Sequence, residues 1–257
     1  MSYQIKEEGG FKFLEEGEGP VLMLLHGLFG ALSNFMDVVD RFKSKYKVVI
    51  PLLPIYEMSI LSTTVGNLAK HVNRFVEYKN YHSVIVLGNS LGGHVAQLFC
   101  LSHQQKVKAM ILTGSSGLYE NTMGGSFPKR GDYEYIKDKT EYTFYDPKTA
   151  SKELIDEVYE ICNNRNKALH VINMARSAMK ENLTNELHKI VIPVLLIWGK
   201  QDNITPSFVG EEFHKLLKNS ELKWIDKCGH AAMMEKPKEF NDYLDEFLNK
   251  QNETLQS

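Results

Sequence analysis

The sequence contains few cysteines, and their positions suggest no cross-links. Only three occur in 257 residues, at Cys100, Cys162 and Cys228. They are odd in number, far apart and without C-x-x-C spacing, so neither a disulfide framework nor a zinc site is predicted. Cys228 lies two residues before His230 and is a conceivable nucleophile. We interpret it as a packing residue beside that histidine, because Ser90 has the stronger sequence context.

Long apolar runs and an excess of charge of one sign are also lacking. The longest apolar stretches, such as Val21–Leu25, are far too short to cross a bilayer. The 30 basic and 32 acidic side chains give a formal net charge of −2 and are dispersed, so no phosphate-binding face is predicted. Residues 1–10 contain no apolar run of the kind found in secretory leaders. We therefore expect a cytoplasmic protein with a small-molecule substrate and no membrane or nucleic-acid partner.

The apolar residues that are present follow an α/β pattern. Short continuous runs rich in Val, Ile and Leu indicate strands buried on both faces, as in a parallel sheet. Between them, apolar residues recur at intervals of three and four, which is typical of amphipathic helices. This alternation predicts an α/β fold with a mostly parallel, doubly wound sheet and an antiparallel edge hairpin at Phe11–Leu14. The predicted strands are Val21–Leu25, Val48–Ile50, Val84–Leu87, Met110–Leu112 and Val194–Trp198, and the predicted helices include Val65–Tyr78, Leu91–Ser102 and Pro206–Leu217.

The alternation of strands and helices is interrupted once, over residues 118–188. This segment begins with glycine, aromatic and charged residues that include Gly124, Gly125 and Phe127, and it continues with two helical patterns. We interpret it as a mostly helical insertion. Because internal repeats and low-complexity linkers are lacking, we expect the insertion to pack on the core. The predicted core comprises residues 1–117 and 189–257.

A candidate nucleophile follows the strand predicted at Val84–Leu87. The chain continues as Gly88-Asn89-Ser90-Leu91-Gly92-Gly93, and a helical pattern starts at once. This places a G-x-S-x-G motif between a strand and a helix, where a sharp turn exposes the serine hydroxyl above the sheet. Flanking glycines let the strand and the helix approach without a Cβ clash. A phosphate loop is excluded, because no lysine follows the glycines at the required place.

Two backbone N–H groups are candidates for stabilising an oxyanion. The N–H of Leu91, at the predicted helix start, points toward the developing charge. The second follows the strand Val21–Leu25, where the chain turns through His26-Gly27-Leu28-Phe29-Gly30. It belongs to Leu28 or, as an alternative, to Phe29. We interpret His26 as a structural residue that forms hydrogen bonds within the loop.

Two further motifs complete a candidate triad. Asp202 ends the stretch Trp198-Gly199-Lys200-Gln201-Asp202 after a predicted strand, and His230 lies in Cys228-Gly229-His230. Active sites of open α/β sheets gather at the carboxyl ends of the strands. The chain order serine, acid, histidine is one that enzymes with a serine on such a turn use. The prediction is that Ser90 is the nucleophile, His230 the general base and Asp202 the acid that orients the histidine.

In order and separation, the motifs HGLFG, GNSLGG, WGKQD and CGHAAMMEKP resemble those of the α/β-hydrolase superfamily, which includes esterases, meta-cleavage C–C hydrolases, epoxide hydrolases and haloalkane dehalogenases. The resemblance covers about residues 21–117 and 192–247, and it implies the α/β-hydrolase fold with the insertion as a helical cap. One departure is the stretch Pro51–Ser59, which lacks the aspartate and glycines that many relatives carry there and affects the loop but not the triad. Dehalogenases and epoxide hydrolases use an aspartate nucleophile, so the serine makes both activities unexpected.

The resemblance leaves three functions open. The leading prediction is hydrolysis of a small, partly apolar carboxylic ester through an acyl-enzyme, which needs neither a metal nor an organic cofactor. The second is C–C bond hydrolysis of a vinylogous keto-acid, for which Asn34, Asn89 and a bidentate Arg165 from the cap would bind the substrate. Those relatives usually carry an aromatic residue after the catalytic histidine, where this chain has Ala231. With Phe29, these residues make up the predicted substrate-binding set. The third is a ligand-binding receptor, although no triad residue is missing.

Overall fold

The computed structural model describes residues 3–30, 32–121 and 129–254. Its strands are β1 Lys6–Glu8, β2 Phe11–Glu16, β3 Val21–Leu25, β4 Lys47–Pro51, β5 Val84–Asn89, β6 Val107–Thr113, β7 Val194–Gly199 and β8 Ser220–Ile225. They form one eight-stranded sheet in the order β1-β2-β4-β3-β5-β6-β7-β8. Strand β2 runs antiparallel to β1 and β4, and all the other neighbours are parallel. The predicted mostly parallel sheet with an antiparallel edge hairpin is confirmed.

Strand β8 is absent from the predicted set, and its position explains why. It lies at the edge of the sheet and pairs with β7 alone. Glu221 and Lys223 interrupt its apolar residues, and only Ile225 is fully buried. An edge strand that is half exposed lacks the continuous apolar run that marks the central strands.

The helices of the core are α1 Met36–Phe42, α2 Val65–Tyr78, α3 Leu91–His103, α7 Ser207–Leu216, α8 Ala232–Glu235 and α9 Pro237–Thr254. A local signal starts α2, where the side chain of Thr64 accepts a hydrogen bond from the N–H of Asn67 and so caps the helix. No helix of the described residues is long and apolar enough to cross a membrane.

Alternate residues of the central strands enter two separate apolar layers. Val86 and Leu112 belong to the layer that includes Val95 of α3. Their chain neighbours Leu87 and Ile111 point to the other face, into the layer that also contains residues of α1 and α9. Because both faces of the sheet are covered, these strands consist of apolar residues without a break. The candidate functional residues follow the carboxyl ends of the strands.

Between β6 and β7 the chain forms α4 Tyr133–Glu141, α5 Lys152–Asn163 and α6 Arg165–Lys180. Helix α6 is attached to the core beside the start of α2. Thr63 Oγ1 lies 2.7 Å from His170 Nδ1, and the N–H of Val65 donates to Ser177 Oγ at 3.0 Å. The described part of the insertion therefore packs on the core. Its residues 122–128, which include Gly124, Gly125 and Phe127, lie outside the described residues.

Candidate active site

Ser90 occupies the sharp turn between β5 and α3. Its backbone adopts φ 54° and ψ −122°, in a region that is costly for a residue with a Cβ. Neighbouring glycines make the turn possible: a Cβ at Gly92 would lie 2.0 Å from the carbonyl oxygen of Leu25, and one at Gly88 would lie 2.4 Å from that of Gly92. The turn raises Ser90 above the end of the sheet, where it borders a cavity.

His230 and Asp202 form a buried hydrogen-bonded pair. Asp202 follows β7 and His230 follows β8, so neighbouring parallel strands deliver them to the same edge of the sheet. His230 Nδ1 lies 2.9 Å from Asp202 Oδ2, which also accepts the hydroxyl hydrogen of Thr205 at 2.7 Å. Asp202 Oδ1 accepts from the backbone N–H groups of Ile204 at 2.8 Å and Thr205 at 2.9 Å. These donors fix the direction of the carboxylate.

The second ring nitrogen of His230, Nε2, is the one that can accept a proton. An ionised carboxylate can only accept hydrogen bonds, so Nδ1 carries the ring proton and Nε2 carries a lone pair. Nε2 is buried and has no hydrogen-bond partner among the described residues. Burial lowers the pKa of His230, but the Asp202 carboxylate and, more weakly, that of Glu120 raise it, so that the net pKa lies above the ordinary value of 6.5. His230 and Ser90 border the same cavity.

The residues predicted to supply the oxyanion donors, Leu28 and Leu91, also border this cavity. Leu91 is the first residue of α3, and Leu28 lies in the turn after β3. Neither backbone N–H donates to another described residue. The hydroxyl of Tyr56 donates to the carbonyl oxygen of Leu28 at 3.3 Å and so holds the turn. Both N–H groups are available to a bound oxyanion.

The hydrogen bonds of His26 are those of a structural residue. The N–H of Leu53 donates to His26 Nε2 at 3.0 Å, so the ring proton is on Nδ1, which donates to the carbonyl oxygen of Gly27 at 2.9 Å. Burial lowers the pKa of His26, and the ring is neutral. Leu53 and Tyr56 both belong to the stretch Pro51–Ser59, so the loop that departs from the family pattern holds the turn that carries Leu28.

A cavity of about 400 Å³ lies between the carboxyl ends of the strands and the insertion. Among its described lining residues, two side chains other than His230 can carry charge, Glu120 and Arg176, and most of the others are apolar. The apolar lining includes Leu28, Phe29, Phe144, Leu154, Val158, Val171, Ile172, Met179, Ile204, Ala231 and Met234. The wall is therefore suited to a largely apolar ligand with few polar groups.

Four of the five predicted substrate-binding residues border this cavity, namely Phe29, Asn34, Asn89 and Ala231. Asn34 Oδ1 is buried without a hydrogen-bond partner among the described residues. The amide group of Asn89 donates instead to the carbonyl oxygens of Thr113 at 3.0 Å and His230 at 3.2 Å. Asn89 thus bonds the end of β6 on one side and holds the loop that carries the histidine on the other.

The prediction that Arg165 contacts the substrate is corrected by the structure. Arg165 is the first residue of α6, directly after the N-cap Asn164, and its side chain is exposed. It does not line the cavity, because the cavity-lining part of α6 begins only at Val171. The arginine of α6 that borders the cavity is Arg176, which lies about three helical turns further along the same side of the helix.

Three residues of the site are missed by the sequence reasoning: Thr205, Glu120 and Arg176. Thr205 carries a usable signal, because it stands three residues after Asp202, within reach of a side-chain hydrogen bond to the carboxylate. Glu120 and Arg176 carry none, since a single charged residue in an insertion is usually solvated. Cys228 is buried, and burial raises its thiol pKa, in keeping with a packing residue. Among the described residues, no three His, Cys, Asp or Glu side chains form a group that could hold a metal ion.

The sheet order and the serine turn between β5 and α3 are those of an α/β hydrolase, and comparison with known proteins identifies the family. Residues 56–237 match the family model Hydrolase_4, described as serine aminopeptidase, S33. This match covers more than half of the chain, which therefore belongs to this family of α/β hydrolases. The predicted family, fold class and hydrolase activity are confirmed.

Individual relatives are hydrolases of more than one kind. The structure of MGS-MChE2, an α/β-hydrolase enzyme from the metagenome of lagoon sediments of Mar Chica, Morocco, is 44% identical, with a TM-score of 0.81 over 97% of this chain and 99% of that one. A 2-hydroxy-6-oxononadienedioate/2-hydroxy-6-oxononatrienedioate hydrolase from Paraburkholderia phymatum is 28% identical over 88% of this chain and 86% of its own length. A monoacylglycerol lipase from Mus musculus is 23% identical over 90% and 76%, respectively.

Proposed function

We propose that this protein hydrolyses small, partly apolar carboxylic esters through an acyl-enzyme on Ser90. The observation that carries the proposal is the unpartnered Nε2 of His230, which belongs to the wall of the cavity that Ser90 also borders. With Nδ1 bonded to Asp202 at 2.9 Å, the ring offers its lone pair to the serine proton.

The proposed reaction has an acylation step and a deacylation step. Ser90 Oγ attacks the ester carbonyl carbon while His230 Nε2 takes the hydroxyl proton, and Asp202 stabilises the imidazolium that forms. The carbonyl oxygen becomes an oxyanion and accepts hydrogen bonds from the N–H groups of Leu28 and Leu91. His230 then gives its proton to the departing alkoxide oxygen. Water, deprotonated by His230, attacks the acyl-enzyme and releases the carboxylic acid and free Ser90.

The apolar wall supports an ester with an apolar acyl chain. Phe144, Val158 and Met179 are among the side chains that would lose contact with water when such a chain enters. Each buried methylene contributes about 0.8 kcal/mol, so each added carbon should raise kcat/KM up to about fourfold until the cavity is full. The monoacylglycerol lipase of Mus musculus, a relative over most of both chains, acts on an ester by its name, which supports this choice.

C–C bond hydrolysis of a vinylogous keto-acid is the second candidate, and two observations favour it. Asn34 Oδ1 is buried without a partner at the cavity, so it could accept a hydrogen bond from an enol hydroxyl of such a substrate. Arg176 borders the cavity and makes no ion pair with a described residue, so its guanidinium is available to a carboxylate. The relative from Paraburkholderia phymatum is a hydrolase of this kind by name.

The test is a series of 4-nitrophenyl esters from acetate to decanoate, run beside a meta-cleavage dienoate, with Ser90→Ala as the control. The expected result is a rise of kcat/KM with chain length that stops when the cavity is full, without dienoate cleavage. Dienoate cleavage without a chain-length preference among the esters would favour the C–C hydrolase. A fluorophosphonate should label Ser90 in the wild type. Failure to label a folded protein would favour the receptor.

Two arginine variants of α6 make a matched pair for the same question. If the substrate carries a carboxylate, Arg176→Ala should lower kcat/KM for the dienoate by about 1.5–3 kcal/mol, roughly ten- to a hundredfold, because a bidentate contact is lost. Arg165→Ala removes the same charge from outside the cavity and should leave the rate unchanged. For a neutral ester both variants should match the wild type. Equal rates of both variants on the dienoate would remove the arginine argument for C–C cleavage.

A further inference from the structure

One acidic side chain of the cavity wall has no part in the triad mechanism. Glu120 lies in the loop after β6 and lines the cavity together with Ser90 and His230. Asp202 is turned away behind the histidine ring and is not among the lining residues. A bound substrate would therefore lie next to the negative charge of Glu120. The ring of His230 would separate the substrate from the negative charge of Asp202.

The loop holds Glu120 in a fixed position relative to the nucleophile. The hydroxyl of Ser116 donates to Glu120 Oε2, and Ser116 is itself buried, with its backbone N–H donating to the carbonyl oxygen of Ser90 at 3.2 Å. On the other side of Glu120, the N–H of Asn121 donates to the carbonyl oxygen of Ile204 at 2.6 Å. The carboxylate is thus tied to the serine turn through Ser116, and the backbone next to Glu120 is bonded to the aspartate loop.

The charge of Glu120 is not neutralised by a cation of the described residues. Its hydrogen-bond partner there is the uncharged Ser116, and no ion pair joins it to a lysine, arginine or histidine. The second charged residue of the cavity wall, Arg176, is exposed, so water screens its field. An unpaired, fixed carboxylate in a largely apolar cavity repels a second anion more strongly than it would in open water.

We propose that Glu120 is a specificity-determining residue, whose fixed carboxylate makes the cavity accept esters with a neutral or cationic acyl chain and reject esters whose acyl chain carries an anionic group. This proposal rests on the proposed esterase function. For charges about 6 Å apart, with an effective dielectric constant of about 40, the interaction changes kcat/KM by about tenfold, in opposite directions for an anion and a cation.

The negative charge of Glu120 also acts on His230, the proposed general base. The pH dependence of kcat/KM is therefore a second measurement that tests the proposal. Burial is the largest single effect on the pKa of His230 and lowers it, but the carboxylates of Asp202 and Glu120 together outweigh it and raise the net pKa. Of the other charged groups nearby, Glu235 accepts a hydrogen bond from Gly229, and Arg176 is exposed on the insertion. Removal of the Glu120 charge should therefore move the acid limb of kcat/KM to lower pH.

The test compares three 4-nitrophenyl esters of similar length: hexanoate, the adipate monoester and 5-(trimethylammonio)pentanoate. In Glu120→Gln, which keeps an oxygen to accept from Ser116, the cation-to-anion ratio of kcat/KM should fall at least tenfold. Hexanoate, which carries no charge on its acyl chain, is the reference to which the rates of both charged esters are normalised. Glu160→Gln removes the same charge from an exposed site on α5 and should change neither ratio nor pH profile. An unchanged ratio in folded Glu120→Gln would overturn the proposal.

A binding experiment separates this proposal from the esterase function. Ser90→Ala and Ser90→Ala/Glu120→Gln are titrated with hexyltrimethylammonium and with hexanoate in a calorimeter. The ratio of the two Kd values should shift by about tenfold or more toward the anion in the double variant, whether or not the wild type hydrolyses esters. Equal ratios in both proteins would overturn the role of Glu120. Absence of ester turnover in the wild type would overturn the proposed function alone.

Discussion

Asp202→Asn should inactivate the protein without unfolding it, because neighbouring donors dictate how the new amide lies. Asp202 Oδ1 accepts from the N–H groups of Ile204 at 2.8 Å and Thr205 at 2.9 Å. An NH2 group at that position would face two donors, so the asparagine must keep its oxygen there. Its NH2 group then occupies the place of Oδ2, 2.9 Å from His230 Nδ1, and donates to that nitrogen.

The consequence is the wrong histidine tautomer. With Nδ1 accepting, the ring proton moves to Nε2, and His230 can no longer take the proton of Ser90. Such a change costs about four orders of magnitude in kcat, equivalent to about 5.4 kcal/mol. The assay is kcat for 4-nitrophenyl hexanoate, with thermal unfolding as the check on folding. Asp226→Asn, in an exposed loop, is the matched control and should keep full activity. A loss below about a hundredfold would refute the orientation argument and point to another carboxylate.

Four further outcomes are expected. Ser90→Ala should lower kcat/KM more than about a hundredfold with an unchanged urea midpoint, since a hydroxyl at a turn contributes little packing; retention of more than about a hundredth of the activity would contradict the covalent mechanism. Gly92→Ala should lower the free energy of unfolding in urea by about 3 kcal/mol, because its Cβ would lie 2.0 Å from the carbonyl oxygen of Leu25; an unchanged midpoint would show that the turn can relax. Asn89→Ala should lower kcat about tenfold with KM unchanged, because it loses the hydrogen bond to the carbonyl oxygen of His230 that holds the histidine loop; a rise in KM alone would indicate substrate contact. Finally, kcat/KM should fall with decreasing pH around a midpoint above 6.5, since a raised pKa means that His230 is protonated, and unable to accept a proton, at higher pH than an ordinary histidine; a midpoint below 6.5 would contradict this.

The central strands could be predicted because the sheet is covered on both faces. Val84–Leu87 was sufficient to locate β5, and helix α3 begins directly after the serine turn, at Leu91. The continuous run of apolar residues that predicts a strand is lost in a strand that pairs along only one edge. Strand β8 pairs along one edge and mixes charged with apolar residues. Its strand conformation therefore depends on pairing with β7 and not on the pattern of its own residues.

The predictable part of the site lies at the carboxyl ends of the parallel strands. Ser90, Asp202 and His230 follow strand ends, and parallel topology alone brings strand ends together. Arg165 and Arg176 lie on one helix, and which of them meets the cavity depends on how α6 packs on the core. That packing is set by long-range contacts, such as the one between Thr63 and His170, which no local pattern reveals.

The position of His230 is determined by more than its partner Asp202. The carbonyl oxygen of His230 accepts a hydrogen bond from Asn89 at the end of β5, at 3.2 Å. Its N–H donates to the carbonyl oxygen of Thr143, at 2.9 Å. Thr143 belongs to the insertion, just after α4. The backbone of the histidine is therefore bonded to the sheet on one side and to the insertion on the other.

Glu235 strengthens this link between the insertion and the loop that carries His230. One of its carboxylate oxygens accepts from the N–H of Gly229, immediately before the histidine, and the other accepts from the N–H of Asp146 in the insertion, both at 2.6 Å. Hydrogen bonds to an ionised group are among the stronger ones in proteins. A movement that lifted this part of the insertion from the core would break them and would shift His230 with it. The insertion wall around Thr143 and Asp146 and the position of His230 are therefore set by the same contacts.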